Sequence, residues 1–353
     1  MRAVTITCMN TYAPSAFPAS RMLVVGGAGY IGSHMLLALQ DAGWPENQLQ
    51  VFDNLSRGHA DACGNVPVFK GDLRHPNDLQ TCIERFKPDL VMHFGALAYV
   101  GESVQEPLLY YENNVAGSLN LLEAMMNHGV NKLVFSSTCA TYGEPQEVPI
   151  PESHPQSPIN PYGRTKLMIE QALKDYAPAY GLHSISLRYF NAAGADPMGR
   201  ARERHDPETH LIPLVLQEAA RTQAGGSPKD TRLEVFGTDF DTPDGSCIRD
   251  YIHVEDLCQA HLLAAQRLLQ EGSTSEAEFF NLANGNGYSV LEVIETCQRI
   301  TGQPIEAKHS PRRAGDPACL IGQAALAHQR LGWSPKHSLE KIIEDAWRVQ
   351  SHS

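Results

Sequence analysis

The chain has 353 residues, of which 42% are hydrophobic and 19% are charged, and its formal net charge is -12. This length and apolar content suffice for one large domain or two modest ones, and they exclude an intrinsically disordered chain. The excess of 40 Asp and Glu over 28 Lys and Arg disfavours a nucleic-acid-binding surface, which requires clustered basic residues.

The N-terminal residues 1–21 are polar and have no periodicity, which predicts a disordered extension. They lack the apolar core of a signal peptide, and no later segment reaches the roughly 18 uninterrupted apolar residues of a membrane span. The eight cysteines are scattered, with no C-x-x-C pair and no spacing typical of a metal site. We therefore expect a cytoplasmic protein with reduced thiols, no membrane contact and no bound metal.

From residue 22 onward, short β-branched segments alternate with helical patterns, which is typical of βαβ units and a parallel sheet. Right-handed crossovers then give a doubly wound sheet. The predicted strands are residues 22–26, 49–53, 66–70, 90–94, 132–136 and 184–189. The predicted helices between them are residues 31–42, 76–86, 108–127 and 162–180.

The pattern changes after Asn191, where turn-rich loops separate shorter elements. We interpret this part as a smaller α/β substrate-binding domain that packs over the carboxyl edge of the sheet. The predicted division is an extension at 1–21, a cofactor domain at 22–190 and a substrate domain at 191–353. The elements assigned to the substrate domain are residues 233–236, 254–269, 279–283, 289–300 and 339–349.

Three glycines, Gly26, Gly29 and Gly32, lie between the first predicted strand and the first helix. The absence of a Cβ permits a tight turn and lets a pyrophosphate approach the helix N-terminus. Asp53 follows at the end of the second strand. A carboxylate at this spacing accepts hydrogen bonds from ribose hydroxyls and repels a 2′-phosphate, so a Rossmann-type site for NAD rather than NADP is predicted.

Two nearby residues are less specific signals. Asp72, just after the third strand, is equally compatible with a contact to the adenine amino group and with an ordinary turn. Arg57, close to Asp53, is a reservation against the preference for NAD, because an arginine there suits a 2′-phosphate.

Tyr162 and Lys166 are at positions i and i+4 of a predicted helix, so both side chains lie on one face. Ile169 and Leu173 continue that face, which is therefore the buried one. A buried lysine needs an anionic or hydroxyl-rich partner. An isolated pair of this kind is more often a core tyrosine beside a lysine that reaches solvent. Together with the dinucleotide motif, the pair predicts that Lys166 lowers the pKa of Tyr162, whose phenolate then removes a proton from an alcohol.

The fifth predicted strand ends in the hydroxyl residues Ser136, Ser137 and Thr138. Ligands bind at this carboxyl edge of doubly wound sheets, so a hydroxyl here could hold the substrate oxygen and relay its proton. Such clusters are also common turn formers that bond their own backbone. Thr138 is our candidate, although spacing alone does not distinguish it from the two serines.

These motifs together resemble the extended short-chain dehydrogenase/reductase family, and within it the nucleotide-sugar epimerases. The resemblance extends from Met22 to about Trp347. It is carried by GGAGYIGSH at residues 26–34, DNLSRGH at 53–59, GESVQEP at 101–107, SSTCATYGEP at 136–145, NPYGRTK at 160–166, LRYFNAAGADP at 187–197, DGSCIRDYIHVEDL at 244–257 and PRRAGD at 311–316.

The resemblance assigns roles to individual positions. It implies catalytic roles for Thr138, Tyr162 and Lys166. The implied NAD contacts, besides the three glycines and the Tyr–Lys pair, are Tyr30, Ile31, Asp53, Asn54, Asp72, Leu73, Phe94, Asn113 and Phe190. The implied UDP-sugar contacts are Thr138, Asn191, Leu211, Phe236, Arg249, Tyr251, Arg313 and Asp316. Without the resemblance, the two arginines would be read as surface ion-pair partners, whereas guanidinium groups also suit a diphosphate.

The implied reaction is NAD-dependent 4-epimerisation of a UDP-hexose, interconverting UDP-glucose and UDP-galactose through a 4-keto intermediate. A UDP-xylose/UDP-arabinose or UDP-N-acetylhexosamine 4-epimerase is the open alternative. A sugar-nucleotide dehydratase is disfavoured, because Cys139 and Ala140 stand where dehydratases of this family carry an acidic pair. A non-catalytic NAD-binding regulator is disfavoured by the intact Thr138, Tyr162 and Lys166.

Two departures from the family pattern concern the ligands. Ala98 stands where some epimerases carry a lysine near the cofactor phosphates, so that contact must be absent or replaced. Leu320 falls on the position that limits sugar size, and it is neither the bulkiest nor the smallest choice.

The resemblance also implies a homodimer built from the helices predicted at 108–127 and 162–180.

Overall fold

The computed structural model describes residues 20–270, 276–313 and 316–351. The extension predicted at 1–21 therefore lies outside the described residues, except for Ser20 and Arg21. The carbonyl of Ser20 accepts a 2.7 Å hydrogen bond from the Trp44 indole, which anchors the start of the described chain. Within the described ranges, no helix is both long and apolar enough to cross a bilayer.

The strands of the described residues group into one large and two small sheets. In chain order they are β1 (Met22–Val25), β2 (Leu49–Asp53), β3 (Val68–Lys70), β4 (Leu90–His93), β5 (Lys132–Thr138), β6 (His183–Tyr189), β7 (Asn191–Ala193), β8 (Glu234–Phe236), β9 (Ile248–His253), β10 (Ala277–Leu282), β11 (Gly287–Ser289), β12 (Lys308–Ser310) and β13 (Cys319–Leu320).

The helices alternate with the strands through the first half of the chain. They are α1 (Tyr30–Asp41), α2 (Pro76–Phe86), α3 (Val100–Gln105), α4 (Pro107–Tyr110), α5 (Gly117–Asn127), α6 (Pro161–Tyr180), α7 (Leu211–Gln223), α8 (Val254–Leu269), α9 (Val290–Thr301), α10 (Ala325–Leu331) and α11 (Leu339–Gln350).

A π-helical turn at Tyr111–Ala116 joins α4 to α5, so the segment predicted as one helix at 108–127 is helical but not uniform. Such turns are rare and are frequent at functional sites. Here the wider turn directs Asn114 inward, where its amide bonds the backbone of Leu97 and the Thr165 hydroxyl.

The large sheet has seven parallel strands in the order β3-β2-β1-β4-β5-β6-β10, which confirms the predicted doubly wound architecture. The six strands predicted before residue 190 agree with the observed ones to within two residues at each end. β10 pairs with β6, however, and α8 packs beside α1. The assignment of residues 254–269 and 279–283 to the second domain is therefore wrong, because the chain returns to the large sheet after leaving it.

Both faces of the large sheet are buried, as expected for parallel strands. Because side chains alternate along a strand, Met22 and Val24 belong to a cluster with α1 and α8. Leu23 and Val25 belong to the opposite cluster, with α2, α5 and α6. Helices on both faces leave the carboxyl edge of the strands as the open side of the sheet.

The remaining elements form a smaller unit. Its four-stranded sheet contains β11, β9 and β13, with β7 also paired to β9, and a two-stranded sheet joins β8 to β12. Helices α7, α9 and α11 cover this unit, and its apolar core includes Val215, Leu216, Val293 and Ile342.

Candidate active site

A cleft of about 1410 Å³ runs along the carboxyl edge of the large sheet and between it and the smaller unit. This volume exceeds the 300–1,000 Å³ or so of sites that hold one small molecule, so two ligands can fit side by side. Every predicted site residue lines the cleft except Asp72. The sequence motifs therefore converge on one place in the fold.

The glycine turn after β1 closes against the backbone of the segment that follows β4. A Cβ on Gly26, whose φ is +78°, would come within 2.4 Å of the Gly95 nitrogen, and one on Gly32 would come within 2.3 Å of the Gly26 oxygen. Helix α1 then begins without a side-chain cap. Its first N–H groups are thus free to bind an anion, and no side chain intervenes.

Asp53 ends β2 beside this turn. Its carboxylate accepts hydrogen bonds from the backbone N–H groups of Ala28 at 3.1 Å and Leu55 at 2.8 Å. Burial nevertheless raises the pKa of Asp53 above its ordinary value. The carboxylate is held firmly at the end of the cleft where the ribose of a dinucleotide would lie.

Asp72 is already paired within the protein. Its carboxylate accepts two hydrogen bonds from the Arg74 guanidinium, at 2.9 and 2.7 Å, and one from Asn54 at 3.0 Å. The hydrogen bonds from Arg74 hold the pKa of Asp72 well below its ordinary value. Of the two interpretations that the sequence left equal, this geometry favours a turn aspartate, and Asn54 and Leu73 are the neighbours that line the cleft.

Arg57 forms a 2.6 Å ion pair with Glu102 and lies over the Tyr99 ring, 4.6 Å from its centroid. All three residues line the cleft, and the sequence did not assign Glu102 or Tyr99 a role. Because its charge is already balanced, Arg57 does not act as a free receptor for a 2′-phosphate. The arginine is also a cation close to the position where Ala98 replaces the lysine of some epimerases.

Tyr162 and Lys166 lie together in the first turns of α6, and both are buried. Asn160 caps this helix by accepting a hydrogen bond from the Gly163 N–H at 2.8 Å, and Pro161 occupies its first position. The Lys166 Nζ donates a 2.7 Å hydrogen bond to the Ser136 carbonyl. The partner is thus a backbone carbonyl at the end of β5, rather than the anion or hydroxyl that the sequence predicted.

In the cofactor-free protein, the pKa of Tyr162 shifts in the direction opposite to the predicted one. Burial raises the pKa of Tyr162 well above its ordinary value, while a hydrogen bond with Thr138 opposes the shift. Burial also lowers the pKa of Lys166 to about 7, and the charge of Glu170 opposes that shift. For both groups, desolvation outweighs the contacts that oppose it. Forming the phenolate requires further positive charge in the cleft.

The pleat of β5 separates the three candidate hydroxyls. Ser136 and Thr138 line the cleft, whereas Ser137 points to the other side and donates a 2.6 Å hydrogen bond to Glu170. Ser136 hydrogen-bonds the hydroxyl of Tyr189, a cleft residue that the sequence analysis did not assign. Thr138 is the member of the set that also bonds Tyr162, so the structure favours it as the hydroxyl beside the tyrosine.

The opposite end of the cleft carries the arginines of the smaller unit. Arg249 donates to the Asp316 carboxylate at 2.8 Å and to the Pro317 carbonyl at 2.9 Å, which fixes its orientation. The Arg313 guanidinium lies 3.8 Å from the centroid of the Phe236 ring. Two oriented guanidinium groups beside an aromatic face suit a diphosphate attached to a planar base.

The residues present fit a dinucleotide such as NAD. A glycine turn that excludes any Cβ, an uncapped helix N-terminus and a buried carboxylate at the end of β2 follow one another along the cleft. They lead to the buried Tyr162 and Lys166 at its centre. Asn113, in the π-helical turn, and Phe94, after β4, line the cleft wall between the glycine turn and the Tyr–Lys pair.

Known proteins share both this sequence and this fold. The UDP-glucose 4-epimerase of Halalkalibacterium halodurans is 52% identical over 327 residues, which cover 92% of this chain and 94% of that protein. The crystal structure of the UDP-glucose 4-epimerase of Brucella ovis in complex with NAD has a TM-score of 0.87 at 45% identity, covering 94% of this chain and 98% of that one.

A second solved structure contains a further ligand. The UDP-glucose 4-epimerase of Bifidobacterium longum, in complex with NAD+ and UDP, has a TM-score of 0.86 at 34% identity, with coverage of 94% and 98%. The profile of the NAD dependent epimerase/dehydratase family matches residues 22–282. By this match and by its identity to curated relatives over nearly its whole length, the chain belongs to the NAD dependent epimerase/dehydratase family.

Proposed function

We propose that the protein is an isomerase that interconverts UDP-glucose and UDP-galactose, with NAD as a bound cofactor. The observation that carries the proposal is the convergence of Thr138, Tyr162 and Lys166 at the centre of a single cleft. On one side lies the glycine turn and on the other lie the two oriented arginines. The chain belongs to the NAD dependent epimerase/dehydratase family, and the relatives described above, which are similar to it, are UDP-glucose 4-epimerases.

In this scheme the two parts of the cleft have different tasks. The large sheet, including β10 and α8, holds NAD through the glycine turn and Asp53. The smaller unit holds UDP through Arg249, Arg313 and Phe236, while the sugar extends toward Tyr162. Because the binding energy comes from the nucleotide, the sugar is left free to present either face.

Tyr162 acts as the base. Its phenolate takes the proton of the sugar 4-hydroxyl, which Thr138 holds by hydrogen bonding. The glycine turn and Asp53 would hold NAD, which would supply reversible hydride transfer at C4 with no net redox change. The resulting 4-keto sugar rotates in the cleft and presents its opposite face. Tyr162 then returns the proton to the sugar oxygen. Beside the phenolate Lys166 is an ammonium, because the phenolate charge and Glu170 oppose the burial that lowers the pKa of this lysine to about 7 in the cofactor-free protein.

The raised pKa of Tyr162 in the protein alone indicates when the base becomes active. Neutral Tyr162 is favoured until positive charge enters the cleft and offsets the cost of a buried phenolate. This requirement ties proton removal to a loaded site. Because the hydride removed from the sugar is returned in the same cycle, we also expect NAD to stay bound through turnover, so that purified protein is active without added NAD.

The test is the Tyr162→Phe variant, assayed by product analysis with UDP-galactose, UDP-N-acetylgalactosamine and UDP-arabinose side by side. We expect UDP-glucose as the main product of the wild type and a loss of roughly 10²- to 10⁴-fold in kcat for the variant. Tyr176→Phe, on the same helix but outside the cleft, is the matched control and should retain wild-type turnover. Unchanged turnover in Tyr162→Phe would overturn the mechanism.

The exposed apolar side chains of α3 to α6 support a homodimer. Val104 is 62% exposed, Leu108 68% and Met168 46%, and the helices α3 and α4 that carry the first two pack against α6, which carries the third. Exposed apolar surface typically marks an interaction site. We propose that two copies pair through this face. Light scattering should give twice the chain mass for the wild type and the monomer mass for a Leu108→Glu/Met168→Glu variant.

We also propose that the protein acts in the cytoplasm. Seven cysteines of the described ranges are free thiols, and six of them are buried, as is usual in a reducing compartment.

A further inference from the structure

Four side chains with metal-binding atoms converge on the segment between β7 and α7. They are Glu203, His205, Glu208 and His210, and their ligand atoms all lie within 4.8 Å of one another. The Nδ1 atom of His205 is 2.9 Å from Glu203 and 3.7 Å from Glu208. The Nδ1 atom of His210 is 2.8 Å from Glu203 and 3.0 Å from Glu208. Each imidazole therefore faces both carboxylates.

The spacing of the four groups is compatible with a tetrahedral metal centre. Zinc binds imidazole nitrogen and carboxylate oxygen at about 2.0 Å, which places neighbouring ligand atoms roughly 3.3 Å apart. One ligand atom from each of the four residues lies within 4.8 Å of the other three, so an ion at the centre needs shifts of about 1.5 Å at most in any of these separations.

Charge and burial agree with a bound divalent cation. The side chains of Glu203 and Glu208 are only 8% and 7% exposed, whereas those of His205 and His210 are 20% and 41% exposed. One divalent cation with two neutral imidazoles balances two carboxylates, so that the occupied site has no net charge. Two carboxylates this close and this buried need positive charge beside them, which a divalent cation or the protonated imidazoles of His205 and His210 can supply.

The donor set selects the kind of metal. Two imidazoles and two carboxylates suit zinc and neighbouring transition metals, whereas magnesium and calcium prefer oxygen ligands alone. Four protein ligands leave no open position, which is typical of a structural site.

A second group, His253, Glu255 and His337, does not qualify. The Nδ1 atom of His253 accepts a 3.0 Å hydrogen bond from the Glu255 backbone N–H, and its Nε2 lies 3.3 Å from Asp345. Both ring nitrogens of His253 are thus already committed within the protein.

The location gives the four-residue cluster a role. The His205 ring contacts Tyr30, at the start of α1, with centroids 6.2 Å apart, and Tyr99, with centroids 5.7 Å apart. The carbonyl of Arg204 hydrogen-bonds His59, after β2, at 3.1 Å. The segment therefore crosses from the smaller unit onto the loops that border the cofactor end of the cleft.

We propose that Glu203, His205, Glu208 and His210 form a structural zinc site that fastens this segment over the cofactor end of the cleft. Metal binding does not depend on the proposed epimerase activity. Retention of NAD by the fastened segment rests on the proposed function.

The experiment compares three proteins purified without chelators or affinity metals: the wild type, a His205→Gln/His210→Gln variant and Arg204→Ala. Arg204 lies on the same segment and pairs with Asp61 at the surface, so Arg204→Ala is the matched control. Metal content is measured by plasma mass spectrometry, and Zn²⁺ affinity by competition with a chromogenic chelator. We expect about one zinc per chain in the wild type and the control, and at least tenfold weaker binding in the histidine variant.

Two outcomes overturn the proposal: a wild type that neither contains zinc nor competes with the chelator, or a histidine variant that binds zinc as tightly as the wild type. Because the variant could fold poorly, the wild type is also titrated with Co²⁺. Intense visible bands of tetrahedral cobalt support the site, and the weak bands of octahedral cobalt count against it. If zinc binds but UDP-galactose is not converted, the metal site stands and the proposed function fails.

Discussion

The buried ion pair between Glu170 and Arg188 makes a strong test of how the centre of the cleft is supported. Glu170 follows Lys166 by one turn of α6, and Arg188 is on β6. Their side chains are 0% and 3% exposed. The Glu170 carboxylate accepts two hydrogen bonds from Arg188, at 2.8 and 2.6 Å, one from Ser137 at 2.6 Å and one from Gln156 at 2.9 Å.

The Glu170→Gln substitution removes the negative charge and keeps the size of the side chain. It leaves the Arg188 guanidinium buried without a counterion, which typically costs about 3–5 kcal/mol of unfolding free energy. The remaining partner of Arg188 in this network is the Tyr142 hydroxyl, at 2.9 Å, which cannot balance a charge. We therefore expect a loss at the upper part of the range for single substitutions.

The assay is equilibrium unfolding in urea, from which the midpoint and slope give the unfolding free energy. Glu340→Gln is the control, because Glu340 pairs with Arg299 at the surface, where both side chains are half exposed, and it should lose less than about 1 kcal/mol. A Glu170→Gln/Arg188→Met double variant should recover much of the loss, since the unpaired charge is gone. If Glu170→Gln and Glu340→Gln lost similar amounts, the assigned cost of the unpaired arginine would be wrong.

Two further predictions concern the cleft itself. The pKa of buried Lys166 is about 7, below its unfolded value of 10.5, so between these values the unfolded chain binds a proton that the folded chain does not. The unfolding free energy of the cofactor-free wild type should therefore rise relative to Lys166→Met, by up to about 1.4 kcal/mol per pH unit between pH 7 and 10. Urea unfolding of both proteins at pH 7, 8 and 9 measures this difference, and a constant difference would contradict the buried, uncharged lysine. Leu320 is half-buried and lines the cleft, so Leu320→Tyr should lower kcat/KM for UDP-N-acetylglucosamine about tenfold or more and change that for UDP-glucose little. Equal losses with both sugars would show that this side chain does not limit sugar size.

The sequence predicted the local elements of the large sheet well, because each has its own signal. β2, α2 and α8 have the predicted bounds, since hydrophobic periodicity and flanking turns mark them locally. The place of β10 was missed for a physical reason: pairing with β6 depends on where a distant segment returns in space. No local pattern distinguishes a strand that joins the large sheet from one that joins a small sheet.

The site shows the same limit at the level of side chains. The i and i+4 spacing was enough to place Tyr162 and Lys166 on one buried face. Whether the pKa of Tyr162 is raised or lowered was not predictable from the sequence, because the shift depends on the balance between burial and charge in the assembled cleft. The pairing of Asp72 with Arg74 and the convergence of His205 with Glu208 likewise depend on loop geometry, which spacing does not report.

The return of the chain to the large sheet has a consequence for how the protein can open. The chain crosses between its two parts after β6, between β9 and α8, after β10, and again on either side of α10, which packs against β10 and α8. The two parts are therefore joined by several connecting segments rather than by one hinge. A wide swing of one part away from the other would strain these crossings. Entry and exit of small molecules therefore fall to the loops at the rim. A fragment ending at residue 190 would leave β6 as a bare edge and the apolar face of α1 uncovered, so genetic dissection of the two parts at that point should yield insoluble material.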